Sequence, residues 1–257
     1  MRLAGEFALV TGSTSGIGRA IAERFAAEGA AVVVTGRDER RGSTVVKGIR
    51  GAGGRAELLL ADLGSEPACV ELVERAAAAL GGLTVLVNSA VAGSVDTSDA
   101  AVTEMPTDTW EQTLRVNLSA PMWCCRSAIP HMLRAGHGSI INVSSRQAER
   151  AAPGFTAYIA SKSGLNGLTR AIAVDYARHG VRCNTISPGY VLNERRDADM
   201  LPARQARLES MHLTRLGAAD DVAYAAVYLA SRESEFLTGI NLPLDGGSSA
   251  ARGLVLG

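Results

Sequence analysis

Tyr158 and Lys162, one helical turn apart, are the pair in this sequence best suited to moving a proton. Residues i and i+4 share a helix face, so the two side chains project together. An ammonium beside a phenol favours the phenolate and draws the tyrosine pKa down from its reference of about 10 toward neutrality, where the group can act as acid and base. An ordinary half-buried helix with a solvated lysine produces the same spacing. Lysine is scarce here, however: the 26 basic residues comprise 24 arginines and only Lys47 and Lys162. Thirteen residues before Tyr158, Ser145 ends the segment Ile141-Asn142-Val143-Ser144-Ser145 and is placed to hydrogen-bond the same substrate oxygen.

A second chemistry-bearing segment is Thr11-Gly12-Ser13-Thr14-Ser15-Gly16-Ile17-Gly18. Glycines let backbone approach a pyrophosphate, and the N–H groups and dipole of a following helix favour its negative charge. Glycine also closes plain tight turns, and the spacing is not the usual G-x-G-x-x-G, because Gly12 and Gly16 are separated by three residues. Its position between a strand and a helix points to dinucleotide binding.

Other reactive residue types fall into no such pattern. Cys69, Cys124, Cys125 and Cys183 lack CxxC pairing or a nearby histidine at ligand spacing, so neither a metal site nor a disulfide framework is expected. The cysteines read as reduced and mostly buried. His131, His137, His179 and His212 stand apart and receive no chemistry.

These groups must be held by elements whose periodicity alternates along the chain. Phe7 to Thr11 is strand-like, Gly18 to Glu28 amphipathic, Val32 to Thr35 β-branched and Asp38 to Arg50 helical. Strands follow at Ala56 to Ala61, Leu83 to Asn88, Ser139 to Ser144, Arg182 to Ser187 and Asn241 to Leu244. Helices are expected at about Glu66 to Leu80, Asp108 to Arg134, Tyr158 to Arg178 and Ala219 to Ser231. Strands alternating with helices mean βαβ units, hence an α/β fold with a doubly wound parallel sheet covered on both faces. No linker or low-complexity tract interrupts the pattern, so residues 1–257 are expected to form a single Rossmann-like domain.

Composition narrows the function further. With 257 residues and 47% hydrophobic content the chain can bury a sizeable core. The 26 acidic residues cancel the 26 basic ones, leaving no surplus to neutralise nucleic-acid phosphates. No run of 18 apolar residues and no secretory signal is present, so a cytoplasmic protein without membrane contact is expected.

Glycine turn, Ser145, Tyr158 and Lys162 in this order and spacing resemble the short-chain dehydrogenase/reductase family, over about Leu3 to Ser248. Asp62-Leu63, Asn117 within Arg-Val-Asn-Leu, Pro188-Gly189 and Leu244-Asp245-Gly246-Gly247 extend the resemblance. It implies an NAD(P)-dependent oxidoreductase interconverting a ketone or aldehyde and its alcohol. Tyr158 would be the general acid/base, Lys162 would tune it and hold the nicotinamide ribose, Ser145 would polarise the substrate oxygen and Asn117 would support a proton-relay water. Gly12, Ser15, Gly16, Ile17, Gly18, Arg37, Asp62, Leu63, Asn88, Ala90, Pro188, Gly189 and Val191 would join Tyr158 and Lys162 in holding the cofactor, with Asp62 on the adenine. A dehydratase or epimerase would use the same Tyr/Lys pair without net redox. A non-catalytic dinucleotide-binding regulator would be expected to have lost Ser145, Tyr158 or Lys162, and all three remain.

Two positions depart from the family pattern. Val91 stands where a glycine is usual, and valine does not readily take positive φ. Asn193 replaces the usual threonine five residues after Pro188. For the cofactor, Asp38 lies 20 residues after Gly18, which by spacing nominates NAD(H). Gly36, at the strand end where NAD-selective relatives carry an acid, instead leaves room for a 2′-phosphate that Arg37 can meet, and Asp38 reads as a helix N-cap. NADP(H) is therefore the expected cofactor, although Ser15 is neutral where NADP enzymes of the family are often basic.

The substrate pocket should form from residues 91–95, 146–155 and a covering loop at about 190–213. In that loop Arg195, Arg196, Arg204 and Arg207 are interleaved with Glu194, Asp197, Asp199 and Glu209, which suits a salt-bridged surface. Arg146 and Arg150 are the better candidates for a substrate carboxylate. Apolar residues around Met122 to Cys125 and Leu165 to Val174 exceed what one sheet face needs, and by resemblance imply a homo-oligomer, a tetramer.

Overall fold

A computed structural model describes residues 1–92, 99–194 and 196–250. Val95, in the expected pocket, and Arg195, in the expected covering loop, lie outside the described residues. Seven strands form one sheet in the order β3-β2-β1-β4-β5-β6-β7, and every pairing is parallel. The strands are β1 Phe7–Val10, β2 Ala31–Gly36, β3 Arg55–Leu60, β4 Val85–Asn88, β5 Gly138–Val143, β6 Val181–Pro188 and β7 Asn241–Leu244. Helices α1 Gly16–Ala27, α2 Glu39–Gly51, α3 Glu66–Leu80, α4 Thr107–Leu114, α5 Ala120–Ala135, α6 Thr156–Tyr176, α7 Pro202–Glu209 and α8 Ala219–Ala230 connect them.

The middle of the sheet is buried from both sides, which is why β1, β2 and β4 read as nearly continuous apolar runs. One core cluster joins Val10, Ile21, Phe25, Val34 and Val227; the other joins Leu9, Leu72, Leu86, Met132 and Ile140. Chain order reverses between β1 and β4, and in open α/β sheets ligands bind beyond the strand ends at such a reversal. The glycine turn after β1 and the loop after β4 both open there.

Two elements differ from the sequence expectation. The long helix expected over Asp108 to Arg134 is interrupted by a π-turn at Arg115–Ser119, a rare widening that recurs near functional sites. The expected loop at 190–213 contains a short helix, α7, started by Pro202 at its first position and anchored by Leu208.

Candidate active site

The glycine turn is shaped by close approach. Gly12 and Gly16 have φ of +66° and +53°, and a Cβ on Gly12 would stand 2.7 Å from the Ala90 Cα. A Cβ on Gly18 would meet the Gly12 carbonyl oxygen at 2.4 Å, so the third glycine lets α1 pack beneath the turn. Ser13 ties this turn to β2: its Oγ accepts from the Thr35 N–H at 2.9 Å and donates to the Val10 carbonyl at 2.6 Å. Thr11 ties it to the loop after β4, its Oγ1 accepting from the Ser89 and Ala90 N–H groups at 3.0 and 3.1 Å. Ser15, at the N-cap of α1, makes no side-chain capping bond, and the first helical turn carries no acid. The first-turn donors are thus left to a ligand, the arrangement that suits a phosphate.

A cavity of about 620 Å³ runs from this turn to Tyr158. Its walls include Gly12, Ser15, Gly16, Ile17, Gly18, Arg37, Asp62, Leu63, Ala90, Ser145, Tyr158, Lys162, Pro188, Gly189 and Val191, all of them positions expected from the sequence. Two expected residues lie elsewhere. Asn88 turns its side chain into the core, where its Nδ2 donates to Asn142 Oδ1 at 2.8 Å, and Ser89 and Ala90 line the cleft in its place. Asn117, in the π-turn, is buried: its Oδ1 accepts from the Ala92 N–H, while its Nδ2 donates to the Ala92 carbonyl and to Ser161 Oγ. Both amide donors are used, leaving one Oδ1 lone pair.

At the catalytic end, Tyr158 stands on the first turn of α6 and Ser145 at the end of β5. Asp99, which sequence reasoning missed, fixes that turn: its carboxylate accepts from the Ala157 N–H at 3.1 Å and the Tyr158 N–H at 2.9 Å. Phe155 packs edge-on against the Tyr158 ring at 6.3 Å between centroids. Lys162 is buried and donates from Nζ to the Val143 carbonyl at 2.8 Å, with Nζ 5.7 Å from the Tyr158 ring centroid.

Burial acts on both members of the Tyr/Lys pair. Burial pushes the Tyr158 phenol above its usual value, opposed by a hydrogen bond from Ser145 and by the Arg196 charge. Burial also brings the Lys162 ammonium down to about 8. One of the three Lys162 N–H donors goes to a backbone carbonyl, and the other two have no partner among the described residues and are left for the cleft that Lys162 lines.

At the β2 end of the cavity, Asp38 is the N-cap of α2, accepting from the Arg41 N–H at 2.9 Å and pairing with the Arg41 guanidinium at 2.8 Å. Arg37 is exposed at the cleft edge beside Gly36, where a Cβ would stand 2.7 Å from the Thr14 methyl. Among the described residues no positive φ falls on a non-glycine, so Val91 is accommodated in ordinary backbone and lies half exposed. Asn193 lies over the glycine turn, its Nδ2 2.7 Å from where a Gly16 Cβ would be. Asp197 gathers the covering segment: it accepts from the Tyr190 hydroxyl at 2.7 Å and from the Asn193 N–H at 2.8 Å, and pairs with Arg196.

This combination of fold and site recurs in known proteins. A family model described as enoyl-(acyl carrier protein) reductase matches residues 12–249. A 3beta-hydroxysteroid dehydrogenase of Mediterraneibacter gnavus is 38% identical, covering 93% of this chain and 93% of its own. A 4-formylbenzenesulfonate dehydrogenase of Comamonas testosteroni is 37% identical over 96% of this chain and 99% of its own. The structure of a gluconate 5-dehydrogenase from Burkholderia cenocepacia, in complex with NADP and tartrate, superposes with a TM-score of 0.90 at 33% identity, covering 98% of each chain. The chain belongs to the short-chain dehydrogenase/reductase family and is an NAD(P)-dependent oxidoreductase of alcohols and carbonyl compounds.

Among the described residues no helix is long and apolar enough to cross a membrane, and no cluster of metal-ligating side chains occurs.

Proposed function

We propose that the chain uses NADP(H) in preference to NAD(H), and that Tyr158, Ser145 and Lys162 carry the proton chemistry on a small carbonyl or alcohol substrate. The observation that carries the catalytic reading is the meeting of Ser145, Tyr158 and Lys162 on one cavity that also contains the glycine turn. The cradle fits a dinucleotide: positive-φ glycines, an α1 N-terminus without an acid, and a turn at Gly12 packed too closely on the Ala90 backbone for a Cβ. Bound there, a nicotinamide supplies the hydride acceptor or donor.

The chain's own groups do the rest. Gly12 to Gly18 receive the pyrophosphate, Asp62 the adenine and Lys162 the nicotinamide ribose, with Leu63, Ala90, Pro188, Gly189 and Val191 as walls. Tyr158 holds a proton at its phenolic oxygen and delivers it to the carbonyl oxygen during reduction, or receives it from the hydroxyl during oxidation. Ser145 donates a hydrogen bond to the same substrate oxygen. Asn117 acts through Ala92, keeping the loop after β4 against the cleft. NADP(H) preference rests on Arg37, for which no ion-pair or hydrogen-bond partner is found among the described residues, and on an Asp38 already committed to capping α2.

Residues 1–257 work as one unit, with 190–213 covering the substrate. The relatives' substrates range from a hydroxysteroid to a formylbenzenesulfonate and gluconate, so a broad panel of ketones, aldehydes and alcohols is the apt test, followed by the absorbance of reduced nicotinamide. Turnover with NADP(H) at higher kcat/KM than with NAD(H) supports the reading. A panel with no net absorbance change would contradict it. For assembly we infer a cytoplasmic homotetramer using α5 and α6, on which Val174 is 82% exposed and Leu133 40%. A monomer mass in light scattering at micromolar protein would refute it.

A further inference from the structure

We propose that Arg146 sets substrate choice by binding the carboxylate of a hydroxy or oxo acid, an inference that rests on the catalytic reading of the same cleft. Arg146 follows Ser145 directly, on the turn Arg146–Ala148 after β5, and lines the cavity with Tyr158 and Lys162. Its guanidinium donates to the Ser248 hydroxyl and, at 3.7 Å, to the Met211 sulfur, both neutral. Among the described residues no carboxylate stands within ion-pair distance of it. Asp245 attracts it from farther off, but its two oxygens already accept from the Gly247 N–H at 3.1 Å and the Ser249 N–H at 2.8 Å. Arg150 adds positive charge nearby.

The other cleft guanidiniums differ. Arg41 pairs with Asp38, Arg196 pairs with Asp197 and lies over the Tyr190 ring, and Arg37 is at the adenosine end beside Gly36. At the catalytic end Arg146 is therefore, among the described residues, the cleft guanidinium without a protein anion. Half-burying a guanidinium among neutral partners is unfavourable until an anion joins it, and burial already presses its pKa downward. Its Nε, the guanidinium nitrogen without a partner, is not sealed in protein, and a planar donor fork on the cavity wall matches the two oxygens of a carboxylate. A ligand acid bound there completes the pair beside the group that handles the proton.

The experiment compares oxo acids whose carbonyl stands two to five carbons from the carboxylate, each beside its primary amide. Wild type, Arg146→Gln and Arg146→Lys are assayed, and the same compounds are titrated calorimetrically into cofactor-loaded protein. Wild type should prefer at least one acid over its amide by about 10- to 100-fold in kcat/KM, the worth of a charge-assisted hydrogen bond. Arg146→Gln should remove that preference, chiefly through KM, with a parallel loss in affinity, and Arg146→Lys should retain part. If Arg146→Gln fails to melt cooperatively, the lysine variant and calorimetry decide. Equal use of acids and amides by wild type, or an undiminished preference in a folded glutamine variant, would overturn the proposal. Arg146-dependent binding of acids without turnover of any compound would support it while contradicting the catalytic reading.

Discussion

Asn117 and Ala92 bond to each other in both directions: Asn117 Oδ1 accepts from the Ala92 N–H at 2.8 Å, and Asn117 Nδ2 donates to the Ala92 carbonyl at 2.9 Å. A side chain in the π-turn thereby substitutes for a strand neighbour and holds the residue that follows Val91 at the cleft wall. Asn117→Ala leaves the half-buried N–H and carbonyl of Ala92 unpaired and should cost about 1 kcal/mol in urea unfolding, with a raised KM for the cofactor. A loss of kcat alone, with stability and cofactor KM unchanged, would instead point to a role on a relay water.

Lys162 gives a pH signature in stability. Its ammonium is brought from an ordinary 10.5 down to about 8 by burial. Between about pH 8 and 10.5 the unfolded lysine holds a proton that the folded one has lost, so this residue makes stability rise with pH across that window, by on the order of 3 kcal/mol. Lys162→Met removes the effect. The difference between wild type and variant, measured by denaturant unfolding of cofactor-free protein, should favour the methionine most below pH 8 and narrow above it; a gap that is flat with pH would contradict the buried-charge reading.

The Ser145 hydrogen bond holds the Tyr158 phenol lower than burial alone would. Ser145→Ala should therefore move the alkaline rise of alcohol oxidation, which needs the phenolate, to higher pH. It should also lower kcat by about 10²-fold through loss of a donor to the reacting oxygen. An unmoved pH profile would separate Ser145 from the tyrosine.

On the proposed preference for NADP(H), Arg37 is the residue that discriminates between the cofactors. Arg37→Ala should reduce the NADP-to-NAD ratio of kcat/KM by about 10- to 100-fold, mainly through the KM for NADP. A wild-type kcat/KM for NAD equal to or above that for NADP would overturn the assignment and make Asp38 the ribose ligand.

The βα alternation, the strand-to-helix glycine turn and the Tyr/Lys pair were legible because each is a local pattern of period or spacing. The Asp38 cap was legible for the same reason, its acceptor lying three residues from the Arg41 N–H it binds. What escaped is set by distance or by a single added residue. Asp99 caps α6 across 58 residues, and nothing near Asp99 in sequence signals that partner. The π-turn at Asn117 keeps a helix-like apolar pattern, so its widening leaves little trace in periodicity. Asn88 carried a resemblance to a cleft position, but its side chain is claimed by Asn142 on the neighbouring strand β5, a pairing that only the sheet register reveals. Helix α7 hid in an arginine-rich segment with few apolar residues to mark a face.

In the proposed reaction the phenolic oxygen of Tyr158 carries the substrate's proton. The most direct test of this role is kcat of Tyr158→Phe with a substrate that wild type turns over, read by reduced-nicotinamide absorbance, with cofactor affinity measured in parallel. Tyr158→Phe should lose about 10²- to 10⁴-fold in kcat with cofactor affinity nearly unchanged. A variant within a few-fold of wild-type kcat would contradict it.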